Sequence, residues 1–305
     1  MKKYIGTLGL LALLMTACGG QGRQTTPQKP VFPATEIPLM VSDPQAKADF
    51  VTQHYWDKFN FTDTLFLAWP DVLEQAMVDY FVVLPFASGS LPQESLDQLM
   101  TRAQADTAMY RFFVEKTEHY LWDPNSPYRN DEFFIPVLEN MLASDQIDDA
   151  VRARSEYRLE LAQKNRIGST ANDFTYTLAS GQKGVMSHIR TEFLLLFFNN
   201  PGCSTCAQII AQTESSPVMN RLLEQKRLTI LAVYPDRELD EWEAHKSKMP
   251  AAWINSYDPE VTLKDNDLYD LKAIPTLYLL DKDKTVLLKD ADINQVERFL
   301  QQQLQ

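Results

Sequence analysis

The sequence predicts a two-domain α+β chain, with an all-helical N-terminal domain followed by a C-terminal α/β domain. From Ser90 to Ile167 there is no glycine, and apolar residues recur at helical spacing. After Gly168 the pattern changes to alternation and short continuous apolar runs, as strands require. At 305 residues the chain also exceeds what a single core usually organises.

The first residues, MKKYIGTLGLLALLMTAC, combine Lys2 and Lys3, an apolar run from about Tyr4 to Met15, and Thr16-Ala17 before Cys18. These are the parts of a secretory signal. The apolar run falls short of the roughly 20 residues that span a bilayer. With a cysteine at the junction, the segment resembles a bacterial lipoprotein signal, which implies cleavage before Cys18 and lipid on that residue. The alternative is an ordinary signal peptide with an incidental cysteine. Residues 1–17 are then the signal peptide. Residues 18–42, rich in Gly, Pro, Thr and Gln, form a lipidated tether that can hold a folded body off the membrane. Losing Lys2 and Lys3 takes the formal charge from −12 to −12 − 2 = −14. Such acidity argues against nucleic acid and against a basic membrane-binding face, so attachment falls to the lipid. No acidic residue follows Cys18 in CGGQGRQTT, which points the expectation to the periplasm-facing side of a Gram-negative-type cell envelope.

Residues 43–167 read as the helical domain. PQAKADFVTQHYWDKF sets Phe50, His54 and Trp56 on an amphipathic helix, and DVLEQAMVDYFVVL sets Leu73, Ala76, Met77 and Tyr80 on one face. A long helical stretch from Pro92 to Trp122 carries Leu96, Leu99, Ala103, Ala108 and Phe112. DPNSPYRND is a break, followed by EFFIPVLENMLAS and a highly charged helix that Gly168 closes as the residue past its C-cap. His54 and His119 lack a second ligand at metal spacing and read as packed or surface residues. Tyr55, Trp56, Phe59, Phe61, Trp69, Tyr120 and Trp122 suit a bundle core better than a glycan or peptide groove. Arg152, Arg154, Glu156, Arg158 and Glu160 read as a solvated face.

Residues 168–305 carry the chemistry. Phe174, Tyr176 and Leu178 alternate before a turn at Ser180-Gly181, a hairpin signal. EFLLLFFN suits a strand buried on both faces, followed by Cys203-Ser204-Thr205-Cys206 and a helix. LTILAVYPD is a second buried strand, RELDEWEAHKSK another helix, and AIPTLYLLDKDKTVLL a hairpin before the last helix. The order is close to β-β-α-β-α-β-α-β-β-α.

Only three cysteines occur, so once Cys18 is lipidated, Cys203 and Cys206 have only each other. An exported dithiol becomes a disulfide unless something reduces it. A helix that begins at the pair aims unpaired N–H groups at Cys203 sulfur, and its dipole favours the thiolate, the attacking nucleophile. Cys206, one turn later, is placed to resolve the mixed disulfide. Zinc would want two more ligands at suitable spacing, and none is evident. An inert i, i+3 disulfide is the competing reading, although so short a loop stabilises little.

The strand, the CxxC at its end, the helix behind it and the distant Ile274-Pro275-Thr276 together resemble the thioredoxin fold. The N-terminal hairpin and the 69 positions between Cys206 and Pro275 resemble its membrane-tethered TlpA and ResA branch. The whole chain is similar to thioredoxin-like bacterial lipoproteins with an N-terminal helical domain of unknown function. The resemblance implies that Ile274, Pro275 in a cis bond, and Thr276 form the substrate-docking loop facing the disulfide. It implies no cofactor beyond the Cys203–Cys206 couple. Its partners would be thiol- or disulfide-bearing envelope proteins and a membrane electron donor. Some residues depart from that pattern. Gly202 replaces an aromatic residue before the first cysteine, and Phe197 and Ile209 replace the acidic residues that take the proton of the second. Ser204 and Thr205 bring no histidine, which favours disulfide reduction over oxidation. A binding lipoprotein with a silent thioredoxin scaffold and a disulfide isomerase are the rival expectations.

Overall fold

The computed structural model describes residues 28–304; Cys18 and the signal segment lie outside them. In the helical domain, side chains that accept orphan backbone N–H groups start most helices. Asp43 caps α1 (Pro44–His54) through the Ala46 N–H. Prolines open α2 (Pro70–Val83) and α3 (Leu91–Ala103) instead. Asp106 accepts from the Ala108 and Met109 amides to begin α4 (Thr107–Thr117). That cap divides the single helical stretch expected from Pro92 to Trp122. A π-helical turn, Glu118–Trp122, follows α4, and Asn130 and Asp148 cap α5 (Asp131–Ala143) and α6 (Asp149–Ala162).

Trp56, Phe59 and Phe61 join Leu73, Met77 and Tyr80 in one core, and Tyr55, Tyr120 and Trp122 pack half-buried against it. The expected bundle-core reading holds for these six aromatics but not for Trp69, which lies half-buried outside that core. Residues 28–42 form no helix or strand, yet Phe32 stacks on Tyr55 with ring centres 5.5 Å apart. This end of the predicted tether lies against the helical domain.

Two local expectations are corrected. Because α6 ends at Ala162, Gly168 is not its terminating residue; it joins the linker to the sheet through its N–H, 2.8 Å from the Val286 carbonyl. The charged face of α6 is only partly solvated. Arg152 donates to the Leu142 and Ser144 carbonyls at the end of α5, and Arg158 pairs with Glu118 at 2.8 Å.

The C-terminal domain runs β1 (Thr175–Leu178), β2 (Lys183–Val185), β3 (Phe193–Phe198), α7 (Ser204–Ser215), α8 (Pro217–Glu224) and β4 (Leu228–Tyr234). It continues through α9 (Leu239–His245), β5 (Ile254–Tyr257), α10 (Thr262–Asp265), β6 (Thr276–Asp281), β7 (Val286–Lys289) and α11 (Ile293–Gln302). Three differences from the expected order appear. Only a 3₁₀ turn, Met186–His188, separates the first hairpin from β3, β5 and α10 are added between α9 and β6, and Pro217 divides the helix after the CxxC because it has no N–H to continue it.

The seven strands lie in the order β2-β1-β5-β4-β3-β6-β7, with β3 parallel to β4 and β4 parallel to β5. All six residues of β3 are buried. Phe193, Leu195 and Phe197 face α7, α8 and α11, while Leu194, Leu196 and Phe198 pack against Tyr269 and Tyr278 on the other side. Thr170 bridges to Thr285, so the linker from the helical domain pairs beside β7 and covers that sheet edge.

Candidate redox site

The site forms where β3 ends. Asn199 ties the loop to β4, its N–H and Nδ2 donating to the Val233 carbonyl at 3.0 and 3.3 Å. Gly202 then adopts φ +80°, a left-handed conformation in which a side chain is strained. That turn explains the glycine where the resemblance led to an aromatic residue. It delivers Cys203 to the N-cap of α7, where its Sγ accepts the Cys206 N–H at 3.2 Å. Ser204 and Thr205 are exposed, and both cysteines are free thiols.

From the far end of the domain, the Ile274–Pro275 loop comes back to the same point. Its peptide bond is cis, and the Ile274 carbonyl oxygen lies 4.0 Å from Cys203 Sγ. Ile274 and Pro275 are half-buried at this surface. Thr276 departs from the expected docking role, because it is buried and donates its hydroxyl to the Ala273 carbonyl at 2.7 Å. It fixes the loop from behind. Cys206 is also buried, packed in the same cluster as Phe197, Ile209 and Leu277. Burial, reinforced by the neighbouring Cys203, pushes its thiol up to about 12.

A groove of about 350 Å³ runs beside Cys203, lined among others by Asn200, Ile210, Trp242, Lys248 and Met249. Its outer wall is α9 and the 3₁₀ turn after it. Trp242 Nε1 donates to Asn255 Oδ1 at 3.3 Å, and Asn255 Nδ2 to the Lys246 carbonyl at 3.0 Å. Trp242 itself is buried, 2% exposed, and braces the wall from within. Reasoning from the sequence missed Trp242 as a site residue; a lone tryptophan in a charged helix was its only signal.

Among the described residues, one carboxylate group has the spacing of a metal site: Asp131, Asp270 and Asp290. Arg129 reaches Asp290 at 2.7 Å, Lys289 reaches Asp131 at 2.8 Å, and Lys272 pairs with Asp270. Three cations already answer three anions, so the charge that would hold a metal ion is spent.

The sheet, the CxxC beyond the C-terminal end of its central strand β3 and the facing proline loop define a thioredoxin-like protein. A family model described as thioredoxin-like matches residues 191–286, and one described as a domain of unknown function, DUF5106, matches residues 16–165. Comparison with curated proteins gives no match. The crystal structure of a thioredoxin-like protein from Bacteroides caccae is 46% identical, with a TM-score of 0.85, over 88% of this chain and 98% of that one. The chain belongs to the family of that thioredoxin-like protein. The C-terminal domain of an uncharacterized protein from Bacteroides fragilis is 52% identical over 45% of this chain and 98% of that one, with a TM-score of 0.44. A thioredoxin domain of a thiol-disulfide oxidoreductase from Bacteroides vulgatus is 22% identical over 44% of this chain and 98% of that one, with a TM-score of 0.39.

Proposed function

We propose that this protein is a lipid-anchored thiol–disulfide oxidoreductase of the cell envelope that reduces disulfides in other proteins. The observation that carries the reading is the position of Cys203, half-exposed at a helix N-cap, hydrogen-bonded by the Cys206 amide and faced by the Ile274 carbonyl. In the forward direction Cys203 thiolate attacks a substrate disulfide, forming a mixed disulfide and expelling one substrate thiolate. Cys206 then gives up its proton and attacks Cys203 sulfur, releasing the second substrate thiol. The substrate gains two electrons and the pair ends as a disulfide, which a membrane dithiol donor must reduce again.

The lipid anchor rests on the resemblance of residues 1–18 to a lipoprotein signal. Among the described residues no helix is long and apolar enough to cross a membrane. A second reading, a binding lipoprotein, draws support from a groove of about 900 Å³ between α4 and α6, lined by Arg111, Trp122 and Arg154 among others. Equilibrating the pair in glutathione or dithiothreitol buffers and trapping the thiols separates the two. A potential near −270 mV, roughly that of thioredoxins, supports the reductase, and one near about −120 mV reverses its direction. A pair that resists reduction moves the function to the helical domain.

A further inference from the structure

The segment just ahead of the Ile274–Pro275 loop is gripped by the helical domain. Tyr157 hydroxyl donates to the Asp267 carboxylate at 3.1 Å, and Asn165 Nδ2 to the Leu268 carbonyl at 2.7 Å. Arg129 guanidinium stands 3.8 Å from Asp270, and the Lys272 ammonium 3.1 Å from the centre of the Trp122 ring. Behind these contacts, Asp131 and Lys289 form a pair with side chains only 2% and 4% exposed, and Lys289 also donates to the carbonyls of Ala162, the last residue of α6, and of Lys164 beyond it. A buried ion pair is a weak source of stability, and its best-attested use is to select one arrangement over others. Here the pair fixes α5 and the end of α6 against β7, and the Asp131 carboxylate lies within 4.8 Å of that of Asp270 in the neighbouring strap, Asp267–Lys272. Only Ala273 separates this strap from Ile274, and the Thr276 hydroxyl pins the Ala273 carbonyl.

We propose that the helical domain is a positioning element for the thiol–disulfide site. Trp122, Arg129 and Tyr157 hold the strap so that the Ile274–Pro275 loop offers its backbone, in register with Cys203, to an extended polypeptide substrate. The inference rests on the oxidoreductase reading above. None of these residues touches a thiol, and the groove beside Cys203 is lined by the C-terminal domain alone. The helical domain therefore acts through the strap and does not cover the site. A small disulfide has no peptide backbone to pair with Ile274, so it is indifferent to the strap.

The test uses the full-length protein, pre-reduced, in single turnover with two probes: insulin as a disulfide-bonded polypeptide, and 5,5′-dithiobis(2-nitrobenzoate) as a small disulfide. The variants are Trp122→Leu, Tyr157→Phe and the double change Asp131→Asn with Lys289→Gln, which strands no charge. For the variants, half-saturation for insulin should rise about fivefold with an unchanged limiting rate, and the small disulfide should react within about twofold of wild type. Trp122→Phe, which keeps an aromatic seat for Lys272, should restore the insulin value. Unchanged insulin kinetics, or equal losses with both probes, would overturn the proposal. Should the double variant fail to fold, Trp122→Leu decides, because it leaves every ion pair in place. A wild type that reacts with neither probe defeats the oxidoreductase reading itself, and this inference with it.

Discussion

Burial holds the Cys206 thiol above its ordinary value and persists once Cys203 is in a mixed disulfide, so at neutral pH that intermediate resolves only as fast as the Cys206 proton leaves. Phe197 and Ile209 surround it with hydrocarbon and provide no acceptor. The thiolate fraction of such a group grows about tenfold per pH unit, and stopped-flow resolution rates between about pH 6 and 8 should climb with that slope. A flat profile would mean that another group takes the proton. Ile209→Glu places a carboxylate beside Cys206 and should speed resolution at pH 7 by about tenfold or more. The apolar identity of both positions was legible in the sequence. The depth of Cys206 was not, because burial sums contributions from β6, α7 and Trp253, the residue just before β5.

The element that builds the site is the strand, loop and helix from Phe193 to Ser215, and its pivot is Gly202. Nothing lies within 4 Å of where a Cβ would stand there, so the position is governed by φ +80° and not by space. Gly202→Ala should therefore cost about 1 kcal/mol or slightly more in urea unfolding, by the left-handed penalty alone. A neutral substitution would show that the loop relaxes to another path. This element was readable in advance because its signals are local: a six-residue apolar run and cysteines one helical turn apart; the left-handed turn at Gly202 was not, and appeared in the sequence only as a missing aromatic residue. α9 was equally visible as a helix, yet its part as a groove wall depends on Asn255, which no local pattern connects to Trp242.

Across the whole molecule, the domains meet through charges that water does not reach. Lys289→Met leaves Asp131 buried without its partner and should destabilise the protein by about 3–5 kcal/mol, measured by denaturant midpoint. Asp290 gives this interface a pH signature. Burial outweighs the opposing pull of Arg129 and raises its carboxyl to about 6. The folded protein then keeps a proton that the unfolded chain releases near its ordinary value of about 3.9, so stability falls as pH rises from about 4 to 6. Asp290→Asn should flatten that part of the stability profile. An unchanged slope would assign it to another group.

By itself the sequence determined the division into a helical and an α/β domain, the doubly buried β3, and a pair of cysteines at the start of α7. Each follows from periodicity or spacing within a dozen residues, where backbone geometry leaves few choices. The tertiary structure alone decided that Ile274 stands 4.0 Å from Cys203, that Trp242 walls the groove, and that Thr276 turns inward. It also decided that Tyr157 reaches Asp267, 110 positions away. Arg129, Asp131, Lys272 and Lys289 look like surface residues in any local reading, since charges are rarely buried without partners. Their partners are chosen by how the two domains pack, a property that no short window of sequence contains.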